Sequence, residues 1–109
     1  MRDHRLIDAR SLAFGRAIAD KLAERPELLE HARENIARWL KTCSPRARST
    51  LDEWLTALDG PVEGVVALLT GTDERATRLR QSNPFTGVLS QQERRAILRR
   101  FSPHDPAPT

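Results

Sequence analysis

Apolar residues in this chain recur at helical spacing between successive Gly and Pro breaks, and no alternating apolar/polar run reaches four residues. A half-buried strand needs strict alternation, whereas an amphipathic helix needs apolar positions at i, i+3, i+4 and i+7. The pattern therefore specifies an all-α fold, a compact single-domain bundle of about six short helices with no convincing strand.

The breaks divide the chain. Residues 6–24 carry Ile7, Ser11, Phe14, Ile18 and Leu22 on one face, and Pro26 closes that helix and opens the next. Residues 26–42 carry the cleanest stripe, Leu28, Leu29, Ala32, Ile36, Trp39 and Leu40, with Arg33 and Arg38 on the outer side. Residues 44–49 form a basic connector or a single helical turn. Thr50 and Glu53 then have capping-box spacing ahead of a helix burying Leu51, Trp54, Leu55 and Leu58. Gly60-Pro61 stops it. The next helix, with Val62, Val65, Val66, Leu68 and Leu69, is apolar on most sides and is expected at the centre, where Gly64 would admit a close neighbour. Gly71 ends it, and Thr72 is the expected N-cap of a helix running to about Ser82. Asn83-Pro84 breaks that helix, and Ser90 with Glu93 forms a capping box for the last one, residues 91–101, which buries Ile97, Leu98 and Phe101. Residues 1–101 make the helical domain, and 102–109 a disordered Pro-rich tail.

Several classes of chemistry find no support in the residues. The single Cys43 excludes an internal disulfide and any multi-cysteine metal site, and suits a reducing cytoplasm. His4, His31 and His104 share no ligand spacing, so no metal site is expected. The pairs Asp52/Glu53 and Asp73/Glu74 are adjacent in sequence and diverge on a helix, where they serve its positive N-terminal end. There is no Gly-rich phosphate loop and no nucleophile motif, so neither catalysis nor a cofactor is expected. No run approaches the ~20 apolar residues of a membrane span.

Charge is distributed unevenly. The chain has 16 Arg, 2 Lys and a formal net charge of +3, an arginine bias that GC-rich coding alone can produce. Residues 75–101 hold seven of these arginines and one acid, a local charge of +6, so the rest sums to −3. At the centre of this stretch lies an apolar elbow, Pro84-Phe85-Thr86-Gly87-Val88-Leu89, between two arginine-bearing helices. Phe85, Val88 and Leu89 at its tip, surrounded by Arg78, Arg80 and Arg94, have the composition of a protein-binding surface. The alternative is a lid, with Phe85 and Leu89 folded back into the core. A helix-turn-helix centred on Gly71 fits at Ala67 but fails at Thr72, Thr77 and Arg80; its second helix would offer Arg75, Arg78, Arg80 and Gln81 to DNA.

The block Glu74-Arg-Ala-Thr-Arg-Leu-Arg-Gln-Ser-Asn-Pro-Phe-Thr-Gly-Val-Leu-Ser-Gln-Gln-Glu-Arg94 resembles a pattern in short bacterial antitoxin-like proteins that accompany toxin genes, roughly A-T-R-L-R-Q-S-S-P-F-x-G-V-L-x-x-x-E-R. Asn83 replaces the serine of that pattern, and both residues suit a pre-proline turn. The upstream Glu34-Asn35-Ile36-Ala37-Arg38-Trp39 and Glu53-Trp54-Leu55-x-x-Leu58-x-Gly60 are also similar, so the resemblance covers about residues 26–101. It implies an antitoxin-type protein that binds and neutralises a cognate toxin enzyme in a hetero-oligomer. The alternative is a DNA-binding, helix-turn-helix-like repressor acting on a toxin–antitoxin operon.

Overall fold

A computed structural model describes residues 4–101; the Pro-rich tail at 102–109 lies outside the described residues. These fold as α1 (His4–Glu24), α2 (Leu28–Leu40), α3 (Pro45–Asp59), α4 (Val62–Thr70), α5 (Glu74–Arg80) and α6 (Gln91–Arg100). There is no strand among them, so the domain is an all-α bundle, and no helix is long and apolar enough to cross a membrane.

The starts of α3, α5 and α6 follow from side-chain oxygens that accept otherwise orphaned backbone N–H groups. Ser44 Oγ accepts from Ala47 N at 3.1 Å, with Pro45 in the first turn. α3 therefore begins there, so of the two readings of the basic 44–49 stretch the helical one holds, and the Thr50/Glu53 capping box is not used. Asp73, not Thr72, caps α5 by accepting from Ala76 N at 3.3 Å. The Ser90/Glu93 capping box forms in both directions, with Glu93 N to Ser90 Oγ at 3.0 Å and Ser90 N to Glu93 Oε1 at 2.7 Å.

α1 packs across α4, α5 and α6, while α3 bridges α2 and α4. Trp54, Val65, Leu69 and Leu79 are fully buried at the centre, and Ala32 and Ile36 bring in α2. Trp54 belongs to the same core as Val65 and Leu69, as its stripe requires. Its ring also meets Phe85 edge-on, with centroids 6.3 Å apart, and its Nε1–H donates to Leu79 O at 2.9 Å. An indole buried here keeps its polar handle satisfied while contributing a large apolar area.

The faces of the two outer helices depart from the simplest periodic reading. Ile7 is 43% exposed and Leu98 39% exposed, because the buried stripe of α1 runs through Gly15, Ile18 and Leu22 and that of α6 through Ile97. The close helix approach expected at Gly64 is also elsewhere. Nothing lies within 4 Å of a Cβ built on Gly64, whereas one built on Gly15 would stand 1.9 Å from Leu69 O. Gly15 thus sets the distance between α1 and α4.

Alanine at these two sites should shift stability in opposite directions. Both changes gain ~0.5–1 kcal/mol of helix propensity. Gly64→Ala should keep that gain. Gly15→Ala should lose ~1–3 kcal/mol net, since a backbone carbonyl cannot step aside without separating two helices. Urea denaturation midpoints of the two variants would test both signs.

Candidate functional site

The elbow between α5 and α6 is tied down by its own turn and from two other helices, α2 and α1. Asn83 Oδ1 accepts from Phe85 N at 2.9 Å, an Asx turn that starts the reversal. Val88 N then donates to Phe85 O at 3.2 Å, closing a tight turn with Gly87 at φ 87 in its third position. A positive φ at that place is the glycine requirement of a type II turn. From α2, Asn35 Nδ2 donates to Pro84 O at 2.9 Å and to Thr86 O and Oγ1, both at 3.3 Å. His31, one turn earlier, meets Thr86 O through Nε2 at 2.8 Å; the carbonyl can only accept, so that nitrogen carries the proton. Arg38 donates to Asn35 Oδ1 and fixes the amide's orientation. From α1, Lys21 Nζ reaches Val88 O at 3.3 Å and Glu93 Oε1 at 2.6 Å.

These contacts correct the expected site. Phe85 is 2% and Leu89 8% exposed, so the elbow is a lid on the core and Phe85 is not an exposed anchor. The physical reason is the Trp54 ring, against which Phe85 gains more by burial than it could at a solvated tip. Arg80, expected to face a partner or DNA, is 4% exposed. Its Nη1 donates to Leu68 O at 2.9 Å and Gly71 O at 2.7 Å, and its Nε to Ser11 Oγ at 3.4 Å. It caps the C-terminal carbonyls of α4, where a cation also suits the helix dipole. Burial pushes its pKa down, countered by Asp8 and Asp73, and arginine's ordinary value is high enough that it stays charged.

Arg75 and Arg78 are exposed but share Glu53, at 3.3 and 3.2 Å. Arg78, then Arg75, hold the Glu53 carboxyl below the usual range. Of the residues expected to contact DNA, only Gln81 is exposed with no such engagement. α5 spans seven residues and turns Ala76, Leu79 and Arg80 inward, a poor recognition helix.

What remains is a groove of about 190 Å³ between α1, the elbow and the start of α6. Phe14, Ile18, Phe85 and Leu89 form its floor, and Ser11, Asn83, Thr86, Gly87 and Arg94 its rim. Arg94 is exposed and lies over the Phe14 ring, 5.4 Å from its centroid. Val88 is half-buried beside it. Of the six expected partner contacts, Phe85, Leu89 and Arg94 line the groove, and Arg78, Val88 and Arg94 are accessible, so Arg94 alone does both. The sequence reading missed Phe14 as a groove residue and the roles of Lys21, His31 and Asn35. Asn35 carried one signal: asparagine disfavours helix interiors, yet this one stands beside the apolar stripe at Ile36. Among the described residues, no group of three or more His, Cys, Asp or Glu is placed to hold a metal ion.

Glu93 supports the elbow from both sides, and its carboxyl is held below the usual range by the Lys21 ammonium first and by the Ser90 backbone N–H next. A depressed carboxylate pKa adds stability that is complete above the unfolded value, about 4.3, and is lost as pH falls through the folded one. Acidification from neutral to below that value should therefore lower the melting temperature of wild type more than that of Glu93→Gln, as thermal melts across pH would show. Comparison of the chain with protein-family models, curated proteins and solved structures finds no match.

Proposed function

We propose that this protein is an antitoxin-type binding module that neutralises a toxin enzyme by direct contact, and that it receives the toxin at the groove between α1 and α6. The observation that carries this reading is Arg94 over Phe14 at the edge of a groove whose opposite wall is the immobilised elbow. An arginine stacked on an aromatic ring, above an apolar floor, is the residue combination that concentrates binding energy in protein interfaces. Because the turn is already closed by Asn35, His31 and Gly87, little conformational entropy is lost when a partner seats against it. Thr86 and Val88 then offer surface beside the groove, while Phe85 and Leu89 act from beneath by giving it shape. The resemblance of residues 74–94 to antitoxin-like proteins supports the choice of partner.

Arg94→Glu removes the guanidinium and reverses its charge without touching the core. It should weaken toxin binding by ~2–4 kcal/mol, the range of an interface hot spot. The assay is growth rescue on co-expression with the toxin encoded beside this gene, with circular dichroism to show that the variant folds. Phe85→Ala should instead cost ~3–5 kcal/mol of folding stability, as truncation of a buried aromatic does. A folded Arg94→Glu that rescues as well as wild type would place the interface elsewhere.

A further inference from the structure

Half of the arginines whose side chains the structure describes donate to an internal oxygen. Arg25, Arg33, Arg75 and Arg78 sit in ion pairs, and Arg38, Arg48 and Arg80 donate to side-chain or backbone oxygens. α6 differs. Arg94, Arg95, Arg99 and Arg100 are all exposed, and none has an acidic partner among the described residues. The helix's single acid, Glu93, is taken by Lys21. The nearby acids of α1, Asp20 and Glu24, line a small cleft with Lys21 and Glu93 at the N-terminal end of α6, away from its last turn.

Helical geometry sorts these residues. At about 3.6 residues per turn, Gln92, Arg95 and Arg99 lie opposite the inward face marked by Ile97 and Phe101, with Arg94 on the flank toward the groove and Arg100 on the other flank. Arg95 and Arg99 are one turn apart, a like-charge pair that costs the isolated helix ~0.2–0.5 kcal/mol. Such a face is unfavourable alone and is relieved by a polyanion.

We infer that the outer face of α6 is a phosphate-binding surface for duplex nucleic acid, engaging the backbone through Arg95 and Arg99 with Arg94 and Arg100 beside them. The composition discriminates among polyanions. A single-strand binder needs exposed aromatic platforms for base stacking, whereas the nearest rings, Phe14 and Phe101, lie under Arg94 and Arg100. An interfacial membrane helix needs a broad apolar face, and Leu98 is the one exposed large hydrophobic residue of α6. Nothing in the face carries a pattern for reading bases beyond Gln92, so binding is of backbone rather than sequence. The site differs from α5, whose arginines are occupied, and it does not depend on the toxin reading above.

The test is fluorescence anisotropy of the full chain with a mixed-sequence duplex over a range of salt concentrations. Four phosphates neutralised at ~0.9 each give an expected slope of about −3.6 for log K against log salt. Arg95→Gln/Arg99→Gln should reduce that magnitude by ~1.8. Arg95→Lys/Arg99→Lys should preserve it, and Arg75→Gln/Arg78→Gln on α5 should leave it unchanged. Circular dichroism checks that each variant folds. The inference is overturned by salt-independent or absent duplex binding, or by an undiminished slope in the Arg95→Gln/Arg99→Gln variant. It also fails if the slope is lost in the α5 variant, or if a single strand, phosphatidylglycerol vesicles or poly-L-glutamate bind in preference to duplex.

Discussion

A loop can be buried only if its carbonyls find donors, because water no longer reaches them. Asn35 meets that condition for the elbow. One amide, 2% exposed on α2, serves Pro84 O and both oxygens of Thr86, while Arg38 holds its other end. With those bonds made, Pro84 is buried and Phe85 descends onto Trp54, and α3, α5 and the elbow share one apolar seat. Removing the amide would leave the carbonyl of buried Pro84 facing a core that cannot solvate it, a cost of ~1–3 kcal/mol. The groove depends on the same anchor, since its elbow wall is the segment Asn35 holds.

The three stretches Glu34–Trp39, Glu53–Gly60 and Glu74–Arg94 are far apart in sequence and meet at this seat. Asn35 and Arg38 come from the first, Trp54 from the second, and Pro84 and Phe85 from the third. Within the third, most residues of the pattern have a structural task. Ala76 and Leu79 fill the core, Arg80 caps α4, Gly87 allows the turn, and Glu93 completes the capping box. A motif of this kind reports how the chain folds more than what it binds. Arg94, which closes the block, has no such burial to explain it, and it is the residue on the groove's rim.

What was legible in the sequence was local. Helical spacing, the Gly60-Pro61 stop, the Asn83-Pro84 break and the Ser90/Glu93 cap all act within a few residues, and each appears where the pattern sets it. Asp73 for Thr72 is an error of choice between neighbouring oxygens with similar capping strength, whereas Ser44 takes the cap from Thr50 because α3 starts more than a turn earlier, at Pro45. What was not legible depends on long-range placement. Gly15 reads as a flaw in a helix until Leu69 lies against it. Asn35 and Pro84 are separated by 49 positions, and Arg80 and Ser11 by 69. No periodicity couples such residues. The exposure of Phe85 could not be decided locally either, because the same residue suits a binding tip or a lid until the Trp54 ring is in place.

Local charge misled for a related reason. The seven arginines of residues 75–101 look equivalent in sequence, yet their surroundings separate them into distinct physical roles. Arg80 gives up hydration and recovers it through backbone carbonyls whose partial negative charge is fixed at the end of α4. Arg75 and Arg78 remain hydrated and share a carboxylate, an arrangement worth ~0–1 kcal/mol that organises the surface more than it stabilises it. The four arginines of α6 keep both their hydration and their charge, because the one acid on that helix is held by Lys21 and the Ser90 backbone. Glu93 thus does two things at once: it secures the elbow and leaves the arginines around it without a counter-charge on their own helix. Within residues 75–101 the positive charge left without a counter-charge is therefore concentrated on α6.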